Sequence, residues 1–408
     1  MTIGIGGSTP QEQLARLGDR TGGVTPIGAE EHRARIAAVQ AQMQADKIDA
    51  LYLHAGSNLL YFTGTSWYPS ERLVGALLTA DGQLHYLAPH FELGTLEQRM
   101  VIGGPVALWH EHESPYTLLR QTLSALGFGK SSGKSLRLAI DSSAPFFISE
   151  GIRAAAPDCE LIDAGPLVQT CRGCKSAAEL ALLQRAKDMT LEAHEAAAAI
   201  LRPGIVTTEV EAFLNQAHRA LGAPGGNSFV IVLFGEATAY PHGVPHPQTL
   251  QDGDMVLIDT GCTLHGYQSD ITRSYVFGEP TERHRQIWNA EKEAQAAAFD
   301  AAQLGVPCGD VDAAARRCIE SHGFGPNYAL PGLPHRTGHG IGLDIHEGPY
   351  LVASDRTPLA PGMCFSNEPM ICAPGEFGVR LEDHFYMTED GPRWFTQPSR
   401  SIDEPFLA

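Results

Sequence analysis

The stretch from His335 to Glu347 decides how this chain is interpreted, and it reads HRTGHGIGLDIHE. Three histidines, His335, His339 and His346, fall within twelve positions and are interleaved with three glycines. Glycine lets a backbone approach a ligand closely, and imidazole is both a metal ligand and a proton carrier near neutral pH. The glycine spacing differs from the G-x-G-x-x-G dinucleotide fingerprint. The stretch therefore predicts a metal or catalytic site.

Two aspartates that precede this stretch could share a cation. Met255–Asp259 is predicted to be an apolar strand that ends in an aspartate, followed by a turn that starts at Asp259. The chain returns through Tyr267–Arg273, which contains Asp270. A hairpin of this length brings the two carboxylates close together, and buried like charges need a cation or a proton. Taken alone, a turn aspartate and a capping aspartate explain the pair equally well.

Two glutamates complete the candidate set. Glu368 stands between an apolar segment and Pro369, and Glu382 lies on an alternating strand with Arg380 on the same face. Singly, each glutamate is typical of a solvated edge. Four carboxylates and one imidazole together suit two divalent cations such as manganese, cobalt, iron or zinc. These five candidate metal ligands are Asp259, Asp270, His339, Glu368 and Glu382.

Composition narrows the class of protein. The 408 residues include 29 basic and 47 acidic side chains, a net charge of −18 that disfavours nucleic acid and anionic membranes as partners. No segment reaches the roughly 18 apolar residues of a membrane span, and the N-terminus lacks the pattern of a signal peptide. We therefore expect a cytoplasmic protein, in which the eight cysteines are reduced thiols.

The order of predicted elements indicates two domains after a leader. Residues 1–25 are predicted to be a flexible leader, rich in Gly, Thr and Ser. Alternating strands and helices up to about residue 165 indicate an α/β domain. A long helix follows, with Ser176 as its cap and Glu179 completing a capping box. The predicted domains are 26–165 and 166–408 in an α/β (α+β) fold.

In this order and spacing, the motifs resemble the pita-bread metallopeptidase family (M24), which includes prolidases, aminopeptidase P and methionine aminopeptidases. The resemblance is close over roughly residues 170–395. It implies a creatinase-like N-terminal α/β domain followed by a C-terminal pita-bread catalytic domain. The extra N-terminal domain and the stretch Gly338–Gly342 are more similar to prolidase than to methionine aminopeptidase. A homodimer is also implied.

The resemblance implies a role for each candidate residue. Asp259, Asp270, His339, Glu368 and Glu382 match the metal ligands, with Asp270 and Glu382 bridging two ions, of which manganese is the expected species. Five residues match the family's catalytic positions. His242 matches a histidine near the scissile bond, and Glu368 matches a proton acceptor. His335 and His346 match histidines that stabilise the intermediate, and Arg380 matches an arginine that orients carboxylates.

The implied reaction is hydrolysis of the Xaa-Pro bond of dipeptides by a metal-bridging hydroxide. Two alternatives stay open: an aminopeptidase P that removes the first residue of longer Xaa-Pro peptides, and a hydrolase of non-peptide amides on the same fold. One departure from the family pattern concerns substrate recognition. Tyr350 stands where several prolidases have an arginine that binds the substrate carboxylate, so another group must bind it here.

Overall fold

The computed structural model describes residues 1–128 and 135–406, which fall into two units. One unit is Ile27–Arg172, and the other combines Met1–Pro26 with Gly173–Ala408. The segment treated above as a flexible leader contains helix α1 (Pro10–Arg16). Thr9 and Glu12 form a capping box, and a proline occupies the first turn. These local signals favour a helix despite the composition of the segment.

The unit Ile27–Arg172 is built around one mixed sheet. Its helices are α2 (Ala29–Ala45), α3 (Ser57–Thr63), α4 (Leu93–Arg99), α5 (Pro115–Ala125), α6 (Phe146–Ala155) and α7 (Gly165–Arg172). Its strands are β1 (Ala50–His54), β2 (Gly75–Thr79), β3 (Leu84–Pro89), β4 (Val106–Trp109), β5 (Leu136–Ile140) and β6 (Cys159–Asp163). Among the described residues the sheet order is β4-β3-β2-β1-β5-β6. The pairs β3–β4, β1–β5 and β5–β6 are parallel. Leu77, Leu119 and Ile152 belong to its core.

The second unit has antiparallel sheets. Its further helices are α8 (Ala177–Ala199), α9 (Thr207–Ala220), α10 (Glu282–Ala301) and α11 (Cys308–Ser321). Its strands are β7 (Asn227–Phe234), β8 (Met255–Leu264), β9 (Tyr267–Gln268), β10 (Ile271–Val276), β11 (Gly338–Gly340), β12 (Glu347–Leu351), β13 (Cys364–Asn367), β14 (Met370–Ala373), β15 (Phe377–Arg380), β16 (Asp383–Thr388) and β17 (Gly391–Trp394). Within residues 173–406 the sheet orders are β10-β8-β7, with β9 on β8, then β12-β11-β13-β16-β17, and the pair β14-β15.

Helices of the second unit cover these sheets. Trp288 of α10 is buried in the same core cluster as Phe365 and Leu381, and its indole nitrogen donates to the Ser274 carbonyl at 2.9 Å. The predicted cap of α8 is confirmed, since the Ser176 hydroxyl accepts from the backbone of Glu179 at 3.2 Å. The predicted mixed fold with both helices and sheets is confirmed as well. In the described part of the chain, no helix is long and apolar enough to cross a bilayer.

The predicted turn after Asp259 is wrong. Strand β8 continues to Leu264 and pairs with β7 from Val256 to Cys262, past the predicted turn. The reversal comes instead at His265-Gly266, both of which have positive φ. Such a two-residue turn with positive φ matches the twist of a hairpin. The backbone of Ser269 lies where a side chain on residue 261 would sit, so Gly261 permits the strands to stay paired at that point.

A candidate metal centre in the second unit

The five candidate ligands lie on or next to different strands and converge on one buried cluster. Asp259 lies on β8, and Asp270 precedes β10. His339 lies on β11, and Glu368 directly follows β13. Glu382 lies between β15 and β16 rather than on a strand, which corrects the prediction of one continuous strand. These strands belong to separate sheets, so the packing of the sheets brings together side chains that are up to 123 positions apart in the sequence.

Distances between ligand atoms fit a shared cation site. His339 Nε2 is 3.1 Å from Glu368 Oε1 and 3.7 Å from Asp270 Oδ2. Ligand atoms of Asp259, Asp270 and Glu382 all lie within 4.8 Å of one another. The same limit holds for His339, Glu368 and Glu382. Glu382 belongs to both groups and links them into one continuous set of donors.

The ring of His339 is oriented by its own strand. Its Nδ1 lies 2.9 Å from the carbonyl of Gly340, and this contact leaves Nε2 directed at the carboxylates. Such a backbone hydrogen bond fixes the tautomer of a metal-binding histidine. The Ser366 hydroxyl accepts from the His339 backbone at 2.9 Å and donates to Glu368 at 3.1 Å.

The glycines around His339 have a structural role. The carbonyl of Ser366 lies where a side chain on Gly338 would sit, and the carbonyl of Glu347 does the same at Gly340. Strand β11 lies between β12 and β13, so its backbone is closely flanked on both sides. We expected these glycines to let the backbone approach a ligand. In the structure they instead let the neighbouring strands approach β11 closely.

Thr272 and Arg380 bind carboxylates of the ligand cluster through hydrogen bonds and an ion pair. The Thr272 hydroxyl donates to Glu382 Oε2 at 2.8 Å and accepts from Arg380 Nε at 3.1 Å. Arg380 also pairs with Asp259 Oδ2 at 2.5 Å, with both side chains buried. Arg380 and Glu382 therefore face the same cluster, as predicted from their two-residue spacing.

The cluster is electrostatically incomplete without cations. Burial raises the pKa of Asp259, Asp270 and Glu382, and repulsion from neighbouring carboxylates raises those of Asp270 and Glu382 further. Burial also opposes ionisation of Glu368, but the hydrogen bond and charge of His339 lower its pKa overall. Carboxylates this close cannot all be ionised unless positive charge joins them.

The donor chemistry fits divalent cations. Asp259 Oδ1, Asp270 Oδ1 and Glu382 Oε1 are buried and have no hydrogen-bond partner among the described residues. A buried carboxylate oxygen without a partner is costly. Metal ions bound between these oxygens and His339 Nε2 would supply the missing partners and the missing charge.

A cavity of 630 Å³ adjoins the cluster. The five predicted catalytic residues all line it, namely His242, His335, His346, Glu368 and Arg380. Burial lowers the pKa of His335, and it lowers that of His346 to about 4. Both imidazoles are therefore neutral at neutral pH and can exchange hydrogen bonds with a substrate.

Three residues near the centre were not assigned from the sequence. Arg336 lines the cavity, and its guanidinium lies 4.4 Å from the centroid of the Tyr350 ring. His384 is fully buried, with Nε2 3.9 Å from Glu382 Oε1. Lys187 of α8 is also fully buried, and Asp270 and Glu382 are among the charges that act on it. The sequence carries no signal for the burial of His384 and Lys187, whereas Arg336 lies inside the quoted histidine stretch.

Two family models match this chain. The model of metallopeptidase family M24 matches residues 181–389, and that of the creatinase/prolidase N-terminal domain matches residues 35–174. The chain belongs to metallopeptidase family M24. It is therefore a metal-dependent hydrolase, as the sequence predicts.

Solved structures of M24 peptidases are similar over nearly the whole chain. The dipeptidase PepE from Mycobacterium ulcerans is 33% identical, with a TM-score of 0.84 over 92% of this chain and 98% of that one. A prolidase from Thermococcus sibiricus is 29% identical, with a TM-score of 0.80 over 90% and 97%. The X-Pro aminopeptidase from Thermotoga maritima is 26% identical, with a TM-score of 0.77 over 90% and 98%. These three relatives are a dipeptidase, a prolidase and an aminopeptidase.

Proposed function

We propose that this M24 peptidase hydrolyses the Xaa-Pro bond of dipeptides. In this proposal two divalent cations are held by the five ligands named above, and the substrate occupies the adjoining cavity. The observation that carries the dipeptide assignment is an arginine on the cavity wall, Arg336, beside the predicted catalytic residues.

Arg336 offers a counter-ion for the carboxylate of a dipeptide. Its guanidinium is stacked on Tyr350, which restricts the side chain. Within the described residues no acidic side chain forms an ion pair with Arg336, so its charge is available to a ligand. A guanidinium binds a carboxylate with two parallel hydrogen bonds. We infer that Arg336 replaces the arginine expected at position 350.

The same cavity offers surfaces for a proline ring. Tyr240, Pro241 and Pro334 line it together with the polar residues. A pyrrolidine ring is apolar and rigid, so contact with such groups costs little conformational entropy. This combination of an apolar wall and one guanidinium supports a C-terminal proline as the departing residue.

The chain's own residues would then divide the remaining work. Divalent cations in the cluster would activate a water molecule and polarise the peptide carbonyl. Glu368 belongs to the ligand cluster and also lines the cavity, so its carboxylate can accept a proton from a water molecule that attacks the substrate. The nitrogen of proline carries no hydrogen in the peptide and must gain a proton to leave. In this proposal Glu368 or a neighbouring histidine delivers that proton.

A second candidate function is that of an aminopeptidase P. A groove of 300 Å³ also contains His242 and Gly243, and it continues along β7 and residues 244–248. This groove gives a longer peptide a path away from the cavity. We rank the candidate second because Arg336 provides a specific partner for a terminal carboxylate.

Purified protein supplied with manganese tests the assignment to proline. We expect rapid hydrolysis of alanyl-proline and slow hydrolysis of alanyl-alanine. Asp270→Asn removes one proposed bridging ligand and serves as the inactive control. Equal hydrolysis of both dipeptides would contradict a proline-directed enzyme. Manganese as the native metal and a homodimer stay predictions from the resemblance, and a cytoplasmic location stays a prediction from the sequence.

A further inference from the structure

A second group of metal-ligating side chains lies on α10 and α11, away from the ligand cluster described above. Glu293 belongs to α10, Cys318 lies in the last turn of α11, and His322 is the residue that caps it. Ligand atoms of the three side chains lie within 4.8 Å of one another. The group thus combines a thiol, an imidazole and a carboxylate.

The helical spacing explains why these groups meet. Cys318 and His322 are four residues apart, so they share one face of α11. The neighbouring helix α10 presents Glu293 to that face, and His322 Nε2 lies 2.9 Å from Glu293 Oε2. Zinc takes sulfur, nitrogen and oxygen ligands at about 2.0–2.3 Å in a tetrahedron. Small side-chain rotations would bring three donors at this separation onto one ion.

Charge and access also favour a cation at this position. Burial raises the pKa of the Cys318 thiol, and the charges of Glu293 and Glu291 raise it further. The raised pKa favours the protonated thiol. A bound dication favours the thiolate instead, because it displaces the thiol proton and is attracted by the same carboxylates. The side chains of His322 and Glu293 are 33% and 61% exposed, so an ion can enter from solvent.

We propose that Glu293, Cys318 and His322 form a second metal site that binds zinc or a similarly thiophilic divalent ion, with water as the fourth ligand. The bound ion would link α10 to α11. The proposal does not depend on the proposed dipeptidase activity, since none of the three residues lines the catalytic cavity.

Zinc protection of the Cys318 thiol tests this site. Full-length protein is first saturated with manganese, and zinc is then added before alkylation with iodoacetamide and peptide mapping by mass spectrometry. We expect zinc to slow alkylation of Cys318 at least tenfold in the wild type and not in His322→Asn. Cys159, which lies on β6 in the other unit, is the internal control and should react at the same rate throughout.

A count of bound zinc gives a second measurement that does not require a reactive thiol. The wild type should bind one more equivalent of zinc than Cys318→Ala, while both hydrolyse the dipeptide equally. An identical zinc count in the two proteins would overturn the proposal. Unchanged protection of Cys318 in His322→Asn would overturn it too, because the thiol would then bind zinc without this site.

Discussion

At the scale of a single residue, Arg336 is proposed to bind the carboxylate of the dipeptide substrate. We expect Arg336→Ala to raise KM for alanyl-proline by at least tenfold, because a charge-assisted pair contributes about 1.5–3 kcal/mol. Steady-state kinetics with alanyl-proline and with its C-terminal amide would measure this. The amide lacks the carboxylate, so its KM should be nearly unchanged. An equal rise for both substrates would show that Arg336 acts on the fold instead of on the carboxylate.

Thr272 links two charged groups through one hydroxyl. Thr272→Val removes the hydrogen bonds to Glu382 and Arg380 while keeping the shape of the side chain. Loss of such a supporting partner weakens metal binding by about 10–100-fold. A manganese titration should show this loss in Thr272→Val and near-normal affinity in Thr272→Ser. Wild-type affinity in the valine variant would mean that the hydroxyl does not orient Glu382.

Sequence patterns predicted the metal ligands better than they predicted the residues that hydrogen-bond to those ligands. The proximity of Asp259 and Asp270 could be anticipated because two apolar segments separated by a chain reversal indicate an antiparallel hairpin. His339 was identified separately, from the histidines and glycines around it. The supporting contacts of Thr272 and the burial of His384 could not be anticipated. They depend on how separate sheets pack, and a lone threonine or histidine has no periodic signal in the sequence.

At the scale of the element, α11 holds the loop that carries His335. Buried Asp312 accepts from the Thr337 backbone at 3.1 Å and its hydroxyl at 2.8 Å, and it pairs with Arg316 at 2.9 Å. Arg316 in turn donates to the His335 carbonyl. We expect Asp312→Ala to lower the free energy of unfolding by about 3–5 kcal/mol, because it leaves a mostly buried arginine unpaired.

Asp310 provides a matched control on the same helix. It pairs with Arg356 at 2.9 Å, but both side chains are more than half exposed. Asp310→Ala should therefore cost only about 1 kcal/mol. Urea denaturation of the two variants measures both values. Similar losses would contradict the claim that buried Asp312 anchors the histidine loop.

Strand β8 shows where prediction of elements from sequence fails. Its apolar run up to Asp259 predicts the strand correctly, but the polar residues that follow suggested a turn. Pairing with β7 and β10 overrides that local preference, and the reversal is set by His265-Gly266. The sequence therefore predicted that β8 exists, but the residue at which β8 ends depends on its pairing with neighbouring strands.

At the scale of the whole molecule, buried His194 makes stability depend on pH. It is fully buried on α8, and its Nε2 lies 2.9 Å from the Ile271 carbonyl. Burial lowers its pKa to about 3, below the usual 6.5 of an unfolded chain. Between these values the unfolded state binds a proton that the folded state does not. The free energy of unfolding should thus decrease as pH falls from 6.5 to 3, by about 1.4 kcal/mol per pH unit from this group.

His194→Gln isolates that contribution. Glutamine can still donate to the Ile271 carbonyl but does not titrate, so the variant should lose less stability on acidification. Urea unfolding at several pH values between 3 and 7 would compare the two slopes. If the free energy of unfolding depended on pH equally in the wild type and the variant, His194 would not be the source of the pH dependence.

The central claim is that a metal centre and one arginine make this chain a dipeptidase. The most direct test compares hydrolysis of alanyl-proline with that of alanyl-prolyl-alanine by manganese-loaded protein, with Asp270→Asn as control. We predict a higher kcat/KM for the dipeptide and loss of both activities in the control. Preferred cleavage of the tripeptide, or activity that survives Asp270→Asn, would contradict the account.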